Sequence, residues 1–191
     1  RISSPGTTMA QSASPRASIV IPVYNAAATL GRALGSVCAE QGAHMEVVVV
    51  DDGSGDGSAG VCGQWCRRDN RVRVIRRPHR GIAAALNTGI MHARGEYLAR
   101  LDADDEWVEG RLAAQVDLLD SRPDIGVVSS LVAMPGAGAN AGYRRYVSWL
   151  NGLCSSESIF RNRFVESPVA HPSVMLRREL VTAAGGYRSG D

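Results

Sequence analysis

Lysine is missing from this chain: all 21 basic residues are arginine. A G-x-x-x-x-G-K phosphate loop and a Schiff-base enzyme each need a lysine, so neither can operate here. Aromatic residues make up only 5%, and none is interleaved with the arginines at 67, 68, 71, 73, 76, 77 and 80. That cluster lacks the stacking platforms of a nucleic-acid groove and reads as a solvated helix end and strand edge. A net charge of +2 gives no field that would gather nucleic acid or an acidic partner. Long apolar runs are absent too, since "MEVVVV" and its neighbours fall far below the ~18 residues of a membrane span. The opening "RISSPGTTMAQSASPR" has no apolar core of a secretory signal. Residues 1–16 therefore read as a flexible tail or vector remnant around Met9. A single domain over 17–191 follows, expected to be truncated at its C-terminus. Only four cysteines occur, at 38, 62, 66 and 154, without C-x-x-C pairs or a nearby histidine. They read as free thiols of a reducing, cytoplasmic compartment.

What remains is ordinary globular material, 45% hydrophobic and 21% charged. "ASIVIPVYN" (17–25) is an apolar, β-branched run ended by a polar residue, a buried strand. Leu30, Leu34 and Val37 then share one helical face, with Gly42 as a stop. "MEVVVVDD" (45–52) has the continuous apolar run of a strand buried on both faces. Ser58 can cap the next helix, and "VRVIRR" (72–77) is a third strand. A helix over 81–95, a strand over 96–102, a helix from Trp107 to Leu119 and a strand over 125–133 complete the regular part. After Met134 the pattern gives way to the loop "PGAGANAG", two short amphipathic helices, and a strand, helix and glycine turn in "HPSVMLRRELVTAAGGY".

Strands alternating with helices imply β-α-β units and a mostly parallel, doubly wound α/β sheet flanked by helices. Ligands of such sheets sit outside the carboxyl ends of the strands. Tyr24 and Asn25 follow the first strand, Asp51 and Asp52 the second, and Asp102 to Asp105 the fourth. Topology alone places them on one rim.

Five carboxylates crowd "LDADDEWVEG". Glu106 and Glu109 read as acids of a helix's first turn. Asp102 and Asp104, one residue apart just past a strand end, suit a hard divalent cation. Mg²⁺ or Mn²⁺ takes one or two carboxylates and completes its shell with phosphate oxygens and water. "VVVVDDGSGDGS" matches neither a dinucleotide loop nor a calcium loop. Its Asp56-Gly57-Ser58 is turn chemistry. Asp51 and Asp52 need solvent or a ligand donor such as a base N–H or a ribose hydroxyl.

Taken in order, "SIVIPVYNAAATL", "VVVVDDGSGDGS", "GIAAALNTGIMHARGEYLARLDADD" and "HPSVMLRRELVTAAGGYR" resemble the family 2 glycosyltransferases. These are inverting, metal-dependent enzymes of the GT-A fold that use nucleotide-sugars. The resemblance implies that Pro22, Tyr24 and Asn25 line a nucleotide pocket and that Asp52 receives the N3–H of uracil or a similar pyrimidine. It places Gly81, Ala84 and Asn87 along the donor site, with Arg94 close by. Asp102 and Asp104 become the D-x-D of ribose, Mg²⁺ or Mn²⁺, and diphosphate, and His171 lies near the diphosphate or the acceptor. The donor implied is a UDP-sugar before a dTDP- or GDP-sugar. The acceptor is a saccharide or lipid-linked sugar of bacterial surface polysaccharide, met in the cytoplasm or in peripheral contact with the membrane.

The family's general base follows the "GGY" turn, so here it falls at Asp191 or beyond it. A nucleotide-sugar-binding module without catalysis is the alternative this leaves open. A sugar-1-phosphate nucleotidyltransferase would need a glycine-rich N-terminal loop with arginine and lysine, which "IPVYNAAATL" is not.

Overall fold

The computed structural model describes residues 14–41, 44–133 and 140–188. Its elements are β1 (Ala17–Val23), α1 (Ala27–Cys38), β2 (Met45–Asp51), α2 (Ser58–Arg68), β3 (Val72–Arg76), α3 (Ile82–His92) and β4 (Tyr97–Arg100). There follow α4 (Arg111–Ser121), β5 (Val127–Ser129), α5 (Ala141–Asn151), α6 (Ser156–Asn162), β6 (Val174–Arg177) and α7 (Arg178–Ala183). A single 3₁₀ turn, His171–Ser173, leads into β6. The strands form one sheet in the order β3-β2-β1-β4-β6-β5. β1 to β4 are parallel, and β6 runs antiparallel between β4 and β5. The mostly parallel α/β sheet is thus as expected, with one reversed strand wedged near its edge.

Every residue of β1 and β2 is buried, which explains their uninterrupted apolar character. Ile19, Ile21, Val47 and Val49 face one way, into a core with Leu30, Leu34 and Val37 of α1 and Cys62 of α2. Val20, Val48 and Val50 face the other way, where α3 covers them with Leu86 and Ala85. Gly89 makes that contact close, since a Cβ there would stand 2.3 Å from Val20 Cγ1. Both faces of the central strands β1 and β2 are therefore covered, which leaves their ends to meet a ligand.

The element ends differ from expectation in instructive places. α4 begins at Arg111, not Trp107, and its first turn holds no acid. Its N-terminus is satisfied from afar by Glu40, 5% exposed, which accepts from the N–H groups of Gly110 (2.9 Å) and Leu112 (3.0 Å). Glu109 precedes the helix, and Glu106 pairs with Arg32 of α1 at 2.8 Å. Ser58 is the first residue of α2 and not its cap; its hydroxyl accepts from the Ala26 N–H. The strand expected over 125–133 shortens to Val127–Ser129. Gly42, Asp191 and residues 135–139 of the expected loop "PGAGANAG" fall outside the described residues, while its last three residues belong to α5 in place of loop, Asn140 capping it and Ala141 and Gly142 beginning it. Arg16, assigned to the tail, binds both carboxylate oxygens of Asp120 at 2.6 and 2.8 Å.

Nor is the arginine cluster simply solvated. Arg71 donates to the last carbonyl of α1, Cys38, and to that of Glu40 just beyond it, and pairs with Asp69 at 2.7 Å. Arg73 pairs with buried Glu46 at 2.7 Å. All four cysteines are free; Cys62 is buried and Cys38 and Cys66 half-buried, as read from the sequence, whereas Cys154 is exposed. Burial pushes the Cys38 thiol up to about 12 and the Cys62 thiol to about 11, so both stay protonated and inert.

Candidate functional site

The carboxyl ends of β1, β2 and β4 open onto one cavity of about 470 Å³. Pro22, Tyr24 and Asn25 line it from β1, Asp52 from β2, and Asp102, Ala103 and Asp104 from β4. His79, from the segment joining β3 to α3, and Ile82 and Ala85 of α3 add to the wall. Pro22 sits in a central strand, where a missing N–H is usually costly. Here Val23 O faces β2, accepting from Asp52 N, while Val20 O faces β4 and takes Leu101 N. By alternation the Pro22 nitrogen faces β4 just past that last bond, so no ladder bond is lost where the strands part.

Asp52 is 2% exposed, and its carboxylate is saturated by donors of the chain itself. Arg77 Nε lies 3.1 Å from Oδ1, and Arg77 Nη1 is fixed by Thr88 Oγ1 at 2.9 Å. The Gly81 N–H donates to Oδ2 at 2.8 Å and the Arg80 N–H lies 3.1–3.2 Å from both oxygens. His79 Nδ1 stands 2.9 Å from Oδ2 and hydrogen-bonds the Asp52 main-chain oxygen at 3.1 Å. Gly53 permits this closeness, because its φ is +78° and a Cβ there would be 2.8 Å from His79 N. Tyr24, half exposed, stacks on the His79 ring with centroids 3.9 Å apart. Asn25 stitches the loop, its own N–H reaching Ser54 Oγ and its Oδ1 accepting from Gly55 N. Asp51 is structural, accepting from Ser54 N at 3.0 Å.

The two carboxylates of the D-x-D differ in kind. Arg100, the last residue of β4 and almost wholly buried, grips Asp102 at 2.9–3.0 Å through Nη2 and Nε. Its Nη1 donates to His171 Nδ1 at 3.2 Å, which brings His171 beside Asp102 and fixes that nitrogen as an acceptor. Asp104 is exposed, and among the described residues no cation pairs with its carboxylate. Asp105 is held above the usual carboxylate range by burial and then by its neighbours Asp102 and Asp104. No group of three or more His, Cys, Asp or Glu side chains among the described residues could hold a metal unaided. One free carboxylate with a second beside it nevertheless fits an ion that takes the rest of its shell from phosphate and water.

Three expected donor-site residues lie elsewhere. Arg94 is at the opposite end of the sheet, where its N–H and guanidinium bind Glu46 at 2.7–2.9 Å. Asn87 spends its amide on the glycine turn, donating to Tyr187 O and accepting from Tyr187 N, each at 2.8 Å. Ala84 lies on α3 outside the cavity wall, and its carbonyl accepts from Thr88 Oγ1. Gly81 acts through its backbone N–H alone. Arg77 was read as part of a solvated cluster, and His79, Ile82 and Arg100 were not singled out in the sequence. "RRPHRGI" follows the third strand onto the same rim as the other site residues, and an arginine inside the apolar "YLARL" marks a buried partner; both signals were there to read.

A family model described as Glycosyl transferase family 2 matches residues 18–183. The chain belongs to this family. An uncharacterized glycosyltransferase of Rickettsia felis is 29% identical over 160 residues, covering 84% of this chain and 25% of that protein. Glycosyltransferase GlyA of Streptococcus pneumoniae is 36% identical over 91 residues, 48% of this chain and 13% of that one. This chain thus spans a quarter or less of these relatives. Among solved structures it is similar to a mannosyltransferase, PcManGT of Pyrobaculum calidifontis, in complex with GDP-Man and Mn²⁺. The TM-score is 0.70 at 27% identity, over 92% of this chain and 48% of that one. Staphylococcus aureus TarS 1-349, in complex with UDP-GlcNAc, superposes with a TM-score of 0.71 over 91% of this chain and 48% of that one. At 20% identity this second likeness is one of fold, the GT-A fold. No helix among the described residues is long and apolar enough to cross a membrane.

Proposed function

We propose that this chain is the donor-binding part of an inverting glycosyltransferase that takes a sugar from a nucleoside diphosphate, a UDP-sugar before a dTDP- or GDP-sugar. The observation that carries the reading is the convergence of Tyr24, Asp52, Asp102 and Asp104 on one cavity. Tyr24 and Ile82 offer apolar faces to a base and ribose, and Asp52 offers a buried carboxylate to a base N–H. Asp102, oriented by Arg100, is placed for a ribose hydroxyl, and Asp104 with Asp102 would hold Mg²⁺ or Mn²⁺. Such an ion supplies Lewis-acid stabilisation of the charge that gathers on a departing diphosphate.

The chain's own part is binding and orientation. A buried carboxylate selects a base that presents N–H, because a lone pair in that position would leave both groups unpaired. His171, joined to Asp102 through Arg100, would meet the diphosphate or the acceptor. A saccharide or lipid-linked acceptor of surface polysaccharide, with the base that deprotonates it supplied at or after Asp191, completes the proposal. Calorimetric titration of the chain with UDP, dTDP and GDP in Mn²⁺ tests it. UDP is expected to bind tightest, and Asp52→Ala to abolish that binding. Equal binding of UDP by Asp52→Ala and wild type contradicts the base assignment.

A further inference from the structure

The His79 ring stands in the position a base would take. It is planar, it stacks on Tyr24 at 3.9 Å with the rings 21° from parallel, and its Nδ1 lies 2.9 Å from Asp52 Oδ2. A pyrimidine with an imide N–H would take the same place, stacking on Tyr24 and donating to the Asp52 carboxylate. We propose that His79 is an internal competitor for the nucleobase, which must displace it to bind. The inference rests on the nucleotide reading above.

The argument is one of acceptor capacity. A carboxylate offers about four lone-pair sites; that of Asp52 accepts from the N–H groups of Arg80 and Gly81, Arg77 Nε stands 3.1 Å from Oδ1, and His79 Nδ1 stands 2.9 Å from Oδ2 while bonding the Asp52 main-chain oxygen at 3.1 Å. An incoming N–H needs one of these sites vacated. The Arg80 and Gly81 donors are backbone at the start of α3. Arg77 is only 14% exposed and doubly fixed by Asp52 and Thr88. His79 alone has a half-exposed side chain, 50% accessible, that can swing into solvent. A single imidazole also matches one pyrimidine ring better than a fused purine, so the displacement favours uracil or thymine. Cytosine carries no hydrogen at N3 and gains less from the vacated acceptor.

A competitor lowers apparent affinity by the fraction of molecules in which it has moved aside. Removing it should therefore tighten binding without adding any contact to the ligand. The experiment titrates uridine monophosphate into wild type and His79→Ala by calorimetry in metal-free buffer, with cytidine monophosphate as comparison. The expected result is a UMP dissociation constant about three- to tenfold lower for His79→Ala, with a smaller change for CMP. In wild type, the imidazole signals assigned to His79 by their loss in the variant should shift on UMP addition. Unchanged or weaker UMP binding by His79→Ala, or unmoved imidazole signals at UMP saturation, overturns the competitor role and leaves the nucleotide reading intact. UMP binding to neither protein overturns both.

Discussion

Replacing Glu40 by alanine should destabilise the fold by about 2–4 kcal/mol, through a helix 70 residues away in the chain. The carboxylate serves two orphan N–H groups at the start of α4. Gly110 is exposed, so water takes over that donor, whereas the Leu112 N–H is buried and loses its partner outright. An unsatisfied buried donor costs about 1–3 kcal/mol. Loss of the negative charge from the positive end of the helix dipole adds about 0.3–2 kcal/mol. For a domain of this size about 3 kcal/mol corresponds to a fall in Tm of roughly 6–12 °C. Urea unfolding followed by circular dichroism measures it, and Glu40→Gln, which keeps one acceptor, should lose about half as much. A Glu40→Ala loss within about 0.5 kcal/mol, the size of an ordinary surface change, would refute the claim that this distant carboxylate caps α4. The consequence reaches the site, because the segment from Asp102 to Gly110 hangs between β4 and this capped end.

Other consequences are as specific. Asn87→Ala removes two backbone hydrogen bonds to Tyr187 and should cost about 1–3 kcal/mol; hydrogen exchange should quicken at the glycine turn, and nucleotide affinity should stay within twofold of wild type. Gly53→Ala forces a side chain onto a φ of +78° against His79 N; it should cost about 1–3 kcal/mol of stability and weaken UDP binding by disturbing the loop that holds Asp52. Acid stability should fall in two places. Burial acts to raise the Glu46 carboxyl, but hydrogen bonds from Ser18 and Arg94 and the Arg73 charge hold it below its ordinary 4.5. Hydrogen bonding from Arg71 lowers Asp69 to about 2 from 3.8. Both folded values are depressed, so both contributions are complete above the unfolded values and vanish as pH falls from about 4.5 towards 2. Stability curves of Glu46→Gln and Asp69→Asn should each be flatter than wild type over that window.

Much of this architecture was legible because two periodicities and one topological rule carry it. Continuous apolar runs mark β1 and β2, and strand–helix alternation puts Tyr24, Asn25, Asp52, Asp102 and Asp104 on a common rim. What was not legible is the pairing of charges. Arg77 with Asp52, Arg73 with Glu46 and Arg94 with Glu46 join residues 25, 27 and 48 positions apart, and no local pattern says which acid an arginine will meet. The cluster over 67–80 therefore looked like a solvated face although Arg71, Arg73 and Arg77 serve buried carbonyls and carboxylates. The start of α4 was misplaced for a similar reason, since the acid that stabilises it comes from Glu40 and not from Glu106 or Glu109. Arg94 and Asn87 were drawn towards the donor by motif position, whereas their partners are Glu46 and the Tyr187 backbone.

The central claim is that Asp104, the exposed carboxylate of the D-x-D, unpaired among the described residues, joins nucleotide to metal. Calorimetric titration of UDP into the chain, with and without Mn²⁺, for wild type and Asp104→Ala, tests it most directly. Wild type should bind UDP at least tenfold more tightly with Mn²⁺, and Asp104→Ala should lose that gain while keeping its metal-free affinity. An equal Mn²⁺ enhancement in both proteins would contradict the account.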